Sequence, residues 1–241
     1  MENKLAIDIG NTRTKIGIFD NSVLKEVLNF ENNTNINSTD IILQHHIHQA
    51  IISSTIQIPS HILEALNTLE RHIILNEATK LPFFNSYSTK DTLGKDRLAL
   101  IAAAHTIYPN QNTLVIGCGT CITFNFINTN NEFLGGSIHP GLKMRLKAMH
   151  TFTGKLPLIV LEEEAVLIGN DTKSNLLSGV LFAAGKEIDG MIDEYLVKFP
   201  KLNIILTGGD ADLLVKRLKN QIFAISNLTL IGLNHILEYN A

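Results

Sequence analysis

The feature that most constrains this chain is a doubled pattern: strand, glycine-containing polar turn, strand, turn, strand. The first copy runs through Leu5–Ile9, the turn Gly10–Arg13, Thr14–Phe19, the turn Asp20–Asn21, and Val23 to Phe30. The second runs through Thr113–Ile116, the turn Gly117–Thr120, Cys121 to Asn128, the turn Asn130–Asn131, and Phe133 to Ile138. Short apolar runs with period-two alternation between polar turns read as strands, so each copy predicts a three-stranded meander. A repeated unit of this length points to two related halves.

The intervening segments read as alternating helix and strand. Residues 31–39, rich in Asn and Thr, form a loop, and Thr39 or Asp40 caps a helix to about Gln49. Ala50–Ser54 is a buried strand, Pro59 opens a helix through Leu69, and His72–Leu75 is a strand. The order is βββαβαβ, then a loop over 76–94 and a helix over about Lys95 to Tyr108. In the second half, Leu176, Leu177, Val180, Leu181, Ala184, Ile188, Met191, Ile192 and Tyr195 fall at three- and four-residue steps, which predicts a helix over Thr172–Phe199. Asn203–Leu206 is a strand followed by Thr207-Gly208-Gly209-Asp210 and a helix from Ala211. No Pro-, Gly- or Ser-rich linker intervenes, and the division is expected after residue 111, giving 1–111 and 112–241.

With 241 residues the chain is long enough for two small domains. The net charge of -3, without a basic stripe, argues against nucleic-acid binding. No apolar run approaches the ~20 residues of a membrane span, and the start lacks a signal-peptide core. With two cysteines in no disulfide pattern, the expected compartment is the cytoplasm.

Five sites carry candidate chemistry. In Asp8-Ile9-Gly10-Asn11-Thr12-Arg13-Thr14-Lys15, a carboxylate ends one strand and a Gly turn opens the next. Glycine permits close backbone approach, so N–H groups can face phosphate oxygens. Asp8 can hold Mg²⁺ and Lys15 can add charge. The same residues also make an ordinary hairpin turn. Gly94-Lys95-Asp96-Arg97 precedes a helical run; Asp96 is either a dipole-friendly cap or a base, with Arg97 an anchor for an anion. The others are Gly117-Cys118-Gly119-Thr120, Gly135-Gly136-Ser137-Ile138-His139-Pro140-Gly141, and Thr207–Asp210. Gly-rich turns of this kind can admit a nucleotide, and each alone is common. Cys118-x-x-Cys121 falls in a strand-turn-strand rather than at a helix start, so redox or zinc chemistry is not expected. His45 and His48 are expected on one solvated helix face.

Taken together, the motifs resemble the acetate and sugar kinase/actin superfamily and, within it, type III pantothenate kinase. The anchors are D-x-G-N-T-x-x-K at Asp8–Lys15, Y-x6-G-x-D-R at Tyr87–Arg97, G-T at Gly119-Thr120 and G-G-x-I-x-P-G at Gly135–Gly141. T-x-x-L-P at Thr153–Pro157, G-x-x-T at Gly169–Thr172 and T-G-G at Thr207–Gly209 complete the set, which covers nearly the whole chain. The resemblance implies an α/β fold of two ribonuclease H-like (βββαβαβα) domains facing a central cleft. It implies ATP-dependent phosphorylation of pantothenate to 4'-phosphopantothenate, the first step of coenzyme A biosynthesis. Residues 8–15 and Thr120 would bind ATP; Tyr87, Gly94, Lys95, Asp96, Arg97 and Thr172 would hold pantothenate; Asp96 would accept the proton. The family uses Mg²⁺ and a monovalent cation (K⁺ or NH₄⁺) and forms homodimers. The chain departs from it where the family carries Asp: it has Gly117 before the second turn and Asn125 after it. Two rival readings are a hydrolase in which Asp96 activates water, and a non-catalytic accessory protein that has lost turnover.

Overall fold

The computed structural model describes residues 3–32, 34 and 36–241; Met1 and Glu2 of the N-terminal run, and Asn33 and Asn35 of the polar loop, lie outside the described residues. In chain order the elements are β1 (Asn3–Ile9), β2 (Arg13–Asp20), β3 (Val23–Glu31), α1 (Ser38–Gln44), β4 (Ile47–Ser54), α2 (Ser60–Leu66), β5 (Arg71–Ile74), β6 (Phe84–Asn85) and α3 (Lys95–Ile107). They continue with β7 (Thr113–Cys118), β8 (Cys121–Ile127), β9 (Glu132–Pro140), α4 (Leu142–Thr151), α5 (Thr172–Lys198), β10 (Asn203–Thr207), α6 (Ala211–Val215), β11 (Phe223–Ala224) and α7 (Leu228–Tyr239).

Two compact units emerge, and they are not continuous in sequence. One contains the chain through Asn110 with Thr129–Leu134 and Asn227–Ala241; the other contains Gln111–Asn128 and Gly135–Ser226. The C-terminal helix therefore packs with the first unit, although it follows the second in sequence.

In the first unit the sheet order is β3-β2-β1-β4-β5. The β1–β2–β3 meander is antiparallel, and β4 and β5 run parallel to β1 and β4 respectively. Alternation decides the faces. Leu5, Ile7, Ile9, Ile16 and Ile18 bury one face with Ile41 and Ile42 of α1 and Ile62 and Leu66 of α2. The other face carries Gly17, where a side chain would meet Leu230 of α7 at 3.2 Å. There α7 crosses α3 in backbone contact: a Cβ on Gly232 would lie 1.8 Å from the Ala99 carbonyl oxygen. The alanine run 102–104, predicted as helix, supplies the small side chains this crossing needs.

The helix expected to reach Gln49 ends at Gln44, and Ile47–Ser54 is strand. His46 adopts φ 49, turning the chain, and seven-residue parallel pairing with β1 then outweighs local helix preference. The cap is Asn37, whose side chain accepts from the Asp40 N–H. His45 closes α1, while His48 lies in β4 beside Glu70 at 3.2 Å, so the two do not share a helix face. Pro59 is the N-cap of α2 rather than its first turn.

In the second unit, β7 and β8 are antiparallel, β10 joins β7 in parallel and β11 joins β10. The apolar stripe of α5 (Val180, Leu181, Ala184, Ile188, Ile192) buries against Leu114, Ile116, Phe124 and Leu206. Asp171 starts α5 with a capping box through Ser174. Asp189, 2% exposed, accepts from the Lys219 and Asn220 N–H groups at 3.1 and 3.2 Å.

Candidate active site

The first unit gathers Asp8, Lys15 and Asp96. Asp8, the penultimate residue of β1, lies directly opposite Lys15 of β2. Its Oδ1 is cut off from solvent and has no hydrogen-bond partner. Burial pushes the Asp8 carboxyl up to about 7, Asp96 pushes it the same way, and Lys15 opposes them. An orphaned buried oxygen on a carboxylate beside a second carboxylate fits a hard cation, which needs few protein oxygens when phosphates and water supply the rest.

The turn from Gly10 to Arg13 is tight: the Gly10 N–H donates to the Arg13 carbonyl at 3.0 Å. Asn11, Thr12 and Arg13 are exposed and Thr14 is buried. Asn32 braces the turn, its amide donating to the Gly10 carbonyl at 2.8 Å while its Oδ1 accepts from the Thr14 hydroxyl at 3.1 Å. Sequence reasoning missed Asn32 because it begins an Asn-rich loop, where composition gives no hint of a long-range partner. Ile9 faces the core, and its carbonyl accepts from the Thr55 N–H at 2.9 Å.

Asp96 occupies the first turn of α3, with its carboxylate folded back over Gly94. A Cβ on Gly94 would come 2.5 Å from Asp96 Oδ1, so the glycine is required by space, not by its φ of -56. Burial raises the Asp96 carboxyl above its ordinary value, while the Arg97 N–H and guanidinium pull it down. Lys95 is bound to Glu77 at 2.5 Å. Arg97 is 4% exposed. Its guanidinium lies 5.5 Å from the Tyr87 ring centroid and 5.8 Å from that of Phe133, and the two rings stack at 6.1 Å. Phe133 was legible only as a strand residue; its role comes from β6, whose pairing with the start of β9 carries Tyr87 alongside it.

In the second unit two of the other Gly-rich segments converge on the β7–β8 turn. The Gly141 N–H donates to the Thr120 carbonyl at 3.1 Å, and a Cβ on Gly141 would meet Gly119 O at 2.2 Å. Gly208, at φ +105, would place a Cβ 2.2 Å from Cys118 O. Backbone therefore lies directly against backbone around Thr120, which is exposed. Cys118 does not line this turn; its side chain is in the core, and burial with Asp210 nearby pushes its thiol up to about 12. Thr172, the other candidate in this unit, is exposed at the first turn of α5. Gly117 pairs with Thr207 and Thr123 and offers no side-chain oxygen. Asn125 is fully buried, and its amide nitrogen donates to Val115 O at 3.2 Å and Thr123 Oγ1 at 3.1 Å. These residues do not supply the carboxylates of a monovalent-cation site. Among the described residues no cluster of three His, Cys, Asp or Glu could hold a metal ion, and no helix is long and apolar enough to cross a membrane.

Two meander-led sheets, each with a polar glycine turn between its first two strands, define the actin-like ATPase fold. Solved structures of that kind share it. One from Campylobacter jejuni, described as a Baf family transcriptional activator, has TM-score 0.57 and 24% identity, covering 98% of both chains. The activator of the 2-hydroxyisocaproyl-CoA dehydratase from Clostridium difficile, with bound ADPNP, has TM-score 0.53 and 12% identity over 98% of this chain and 93% of its own. The family model of type III pantothenate kinase matches residues 4–194. A type III pantothenate kinase from Christiangramia forsetii is 43% identical over 98% of both chains. The chain belongs to the type III pantothenate kinase family.

Proposed function

We propose that this protein transfers the γ-phosphoryl group of ATP to pantothenate, with Asp96 as general base. The observation that carries the reading is that Asp96, at the start of α3, is near enough to Asp8 of β1 to raise its carboxyl, giving two desolvated carboxylates with separable tasks. Phosphoryl transfer asks a protein mainly to position reactants and neutralise charge. Asp8 would hold Mg²⁺, which when bound offsets the charge of the ATP phosphates. Lys15 and the turn from Gly10 to Thr12 would cradle those phosphates, and Thr120 would contact the nucleotide. Asp96, its carboxyl raised above the ordinary carboxylate value by burial, accepts the proton of the pantothenate hydroxyl as that oxygen attacks phosphorus. Arg97, its guanidinium set against the stacked rings of Tyr87 and Phe133, supplies a fixed cation for the substrate's carboxylate. Gly94, Lys95, which also pairs with Glu77, and Thr172 would complete the contacts to pantothenate.

The test is a coupled ADP-release assay with and without pantothenate. Release that depends on pantothenate supports the kinase. Release indifferent to pantothenate would make the protein a hydrolase, and no release under either condition would make it a non-catalytic relative.

A further inference from the structure

The glycine-rich end of β9 carries a hydroxyl–imidazole–carboxylate chain that the phosphoryl-transfer reading leaves unused. Ser137 Oγ lies 2.7 Å from His139 Nε2, and His139 Nδ1 lies 2.8 Å from Glu187 Oε1 of α5. Arg145 of α4 fixes the carboxylate: its Nη2 donates to Glu187 Oε1 and Oε2 at 2.8 and 2.9 Å, while its Nε donates to the Pro140 carbonyl at 2.9 Å. The His139 ring also packs on Phe124, with centroids 5.0 Å apart.

A carboxylate only accepts, so in the neutral ring Nδ1 carries the proton toward Glu187 and Nε2 presents its lone pair to the Ser137 O–H. In that form the serine donates to an imidazole that Glu187 holds in one orientation from behind. That is the arrangement which activates a hydroxyl as a nucleophile, whatever fold carries it. Alternation along β9 accounts for the first contact, since residues 137 and 139 share one face of the strand. Both side chains remain half-buried rather than sealed, so a small molecule can reach them.

We infer that Ser137, His139 and Glu187 form an acyl-transfer site that takes small activated carboxylic esters. Ser137 Oγ attacks the ester carbonyl carbon, and its proton passes to His139 Nε2. The carbon–alkoxy bond breaks, and the alcohol leaves with the proton returned by Nε2. Water then attacks the acyl-serine, again giving its proton to Nε2, and the carboxylic acid leaves as Oγ regains that proton. Ser137 and His139 are the catalytic residues; Glu187 and Arg145 are positioning residues.

The experiment is labelling of the full-length protein with an alkyl fluorophosphonate, followed by intact mass and peptide mapping. Here Ser137 Oγ bonds to phosphorus, fluoride leaves, and the serine proton goes to His139. One adduct on the Ser137 peptide is expected, absent in Ser137→Ala. In His139→Gln, which keeps a polar side chain but removes the base, the labelling rate should fall by roughly 10²-fold or more. Glu187→Gln should slow labelling without moving the adduct. Hydrolysis of p-nitrophenyl acetate should follow the same order. A network that merely ties β9 to α4 and α5 would lower the melting temperature of these variants but would not make Ser137 reactive. No adduct on the unsubstituted protein, an adduct at another residue, or undiminished labelling in a folded His139→Gln variant overturns the inference.

Discussion

Replacing Asp8 by Asn should make the protein more stable and leave it inactive. The Asp8 carboxyl is moved from 3.8 to about 7, chiefly by burial. At roughly 1.4 kcal/mol per pH unit, this corresponds to about 4 kcal/mol lost when the folded protein must carry Asp8 ionised. The sign follows from proton binding. Between the two values the folded state holds the proton more tightly than the unfolded chain, so stability falls as pH rises from about 4 and levels off above about 7. The advantage of Asp8→Asn should therefore be about 1–2 kcal/mol at pH 5 and approach about 4 kcal/mol at pH 8. Urea unfolding of both proteins at the two pH values measures it. Mg²⁺ should narrow the gap at pH 8 by stabilising the Asp8 protein alone. Equal stability of the two at pH 8, or a difference that does not change between pH 5 and pH 8, would refute the claim that this carboxylate is held against its own solvation for the sake of binding.

Asp96→Asn keeps the shape of the side chain and removes the base, so kcat should fall by roughly 10²-fold or more in the pantothenate-dependent assay. Gly232→Ala places a methyl group 1.8 Å from the Ala99 carbonyl and should destabilise the first unit by about 3 kcal/mol, read from denaturant unfolding. Because Gly117 and Asn125 provide no carboxylate, activity should depend only weakly on K⁺ when rates are compared with a bulky organic cation at matched ionic strength. Gly117→Asp should gain K⁺ activation. A closed two-fold dimer is expected in sedimentation at micromolar concentration. Phe152, Val160 and Ile168, 85%, 77% and 86% exposed, are the side chains for which a partner surface would account, so Ile168→Asp should weaken association.

The sequence by itself determined the two meanders. Alternation of Leu5, Ile7 and Ile9 against Asp8 requires no knowledge of the rest of the chain, because a strand's two faces are set by a period of two. It also determined where carboxylates and glycines meet the ends of strands, and thus which residues could do chemistry. It did not determine α7, whose apolar residues gain a partner only when Gly232 reaches Ala99 across more than a hundred residues. Nor did it determine where α1 stops, since the parallel partner of Ile47–Ser54 is the first strand of the chain. Asn32 and Phe133 escaped for the same reason: each acts through a neighbour distant in sequence, on Gly10 and on Arg97. The perturbed carboxyl of Asp8 belongs wholly to the tertiary structure. Local sequence supplies the acid, but only the tertiary structure withdraws it from water and brings Asp96 near enough to raise it.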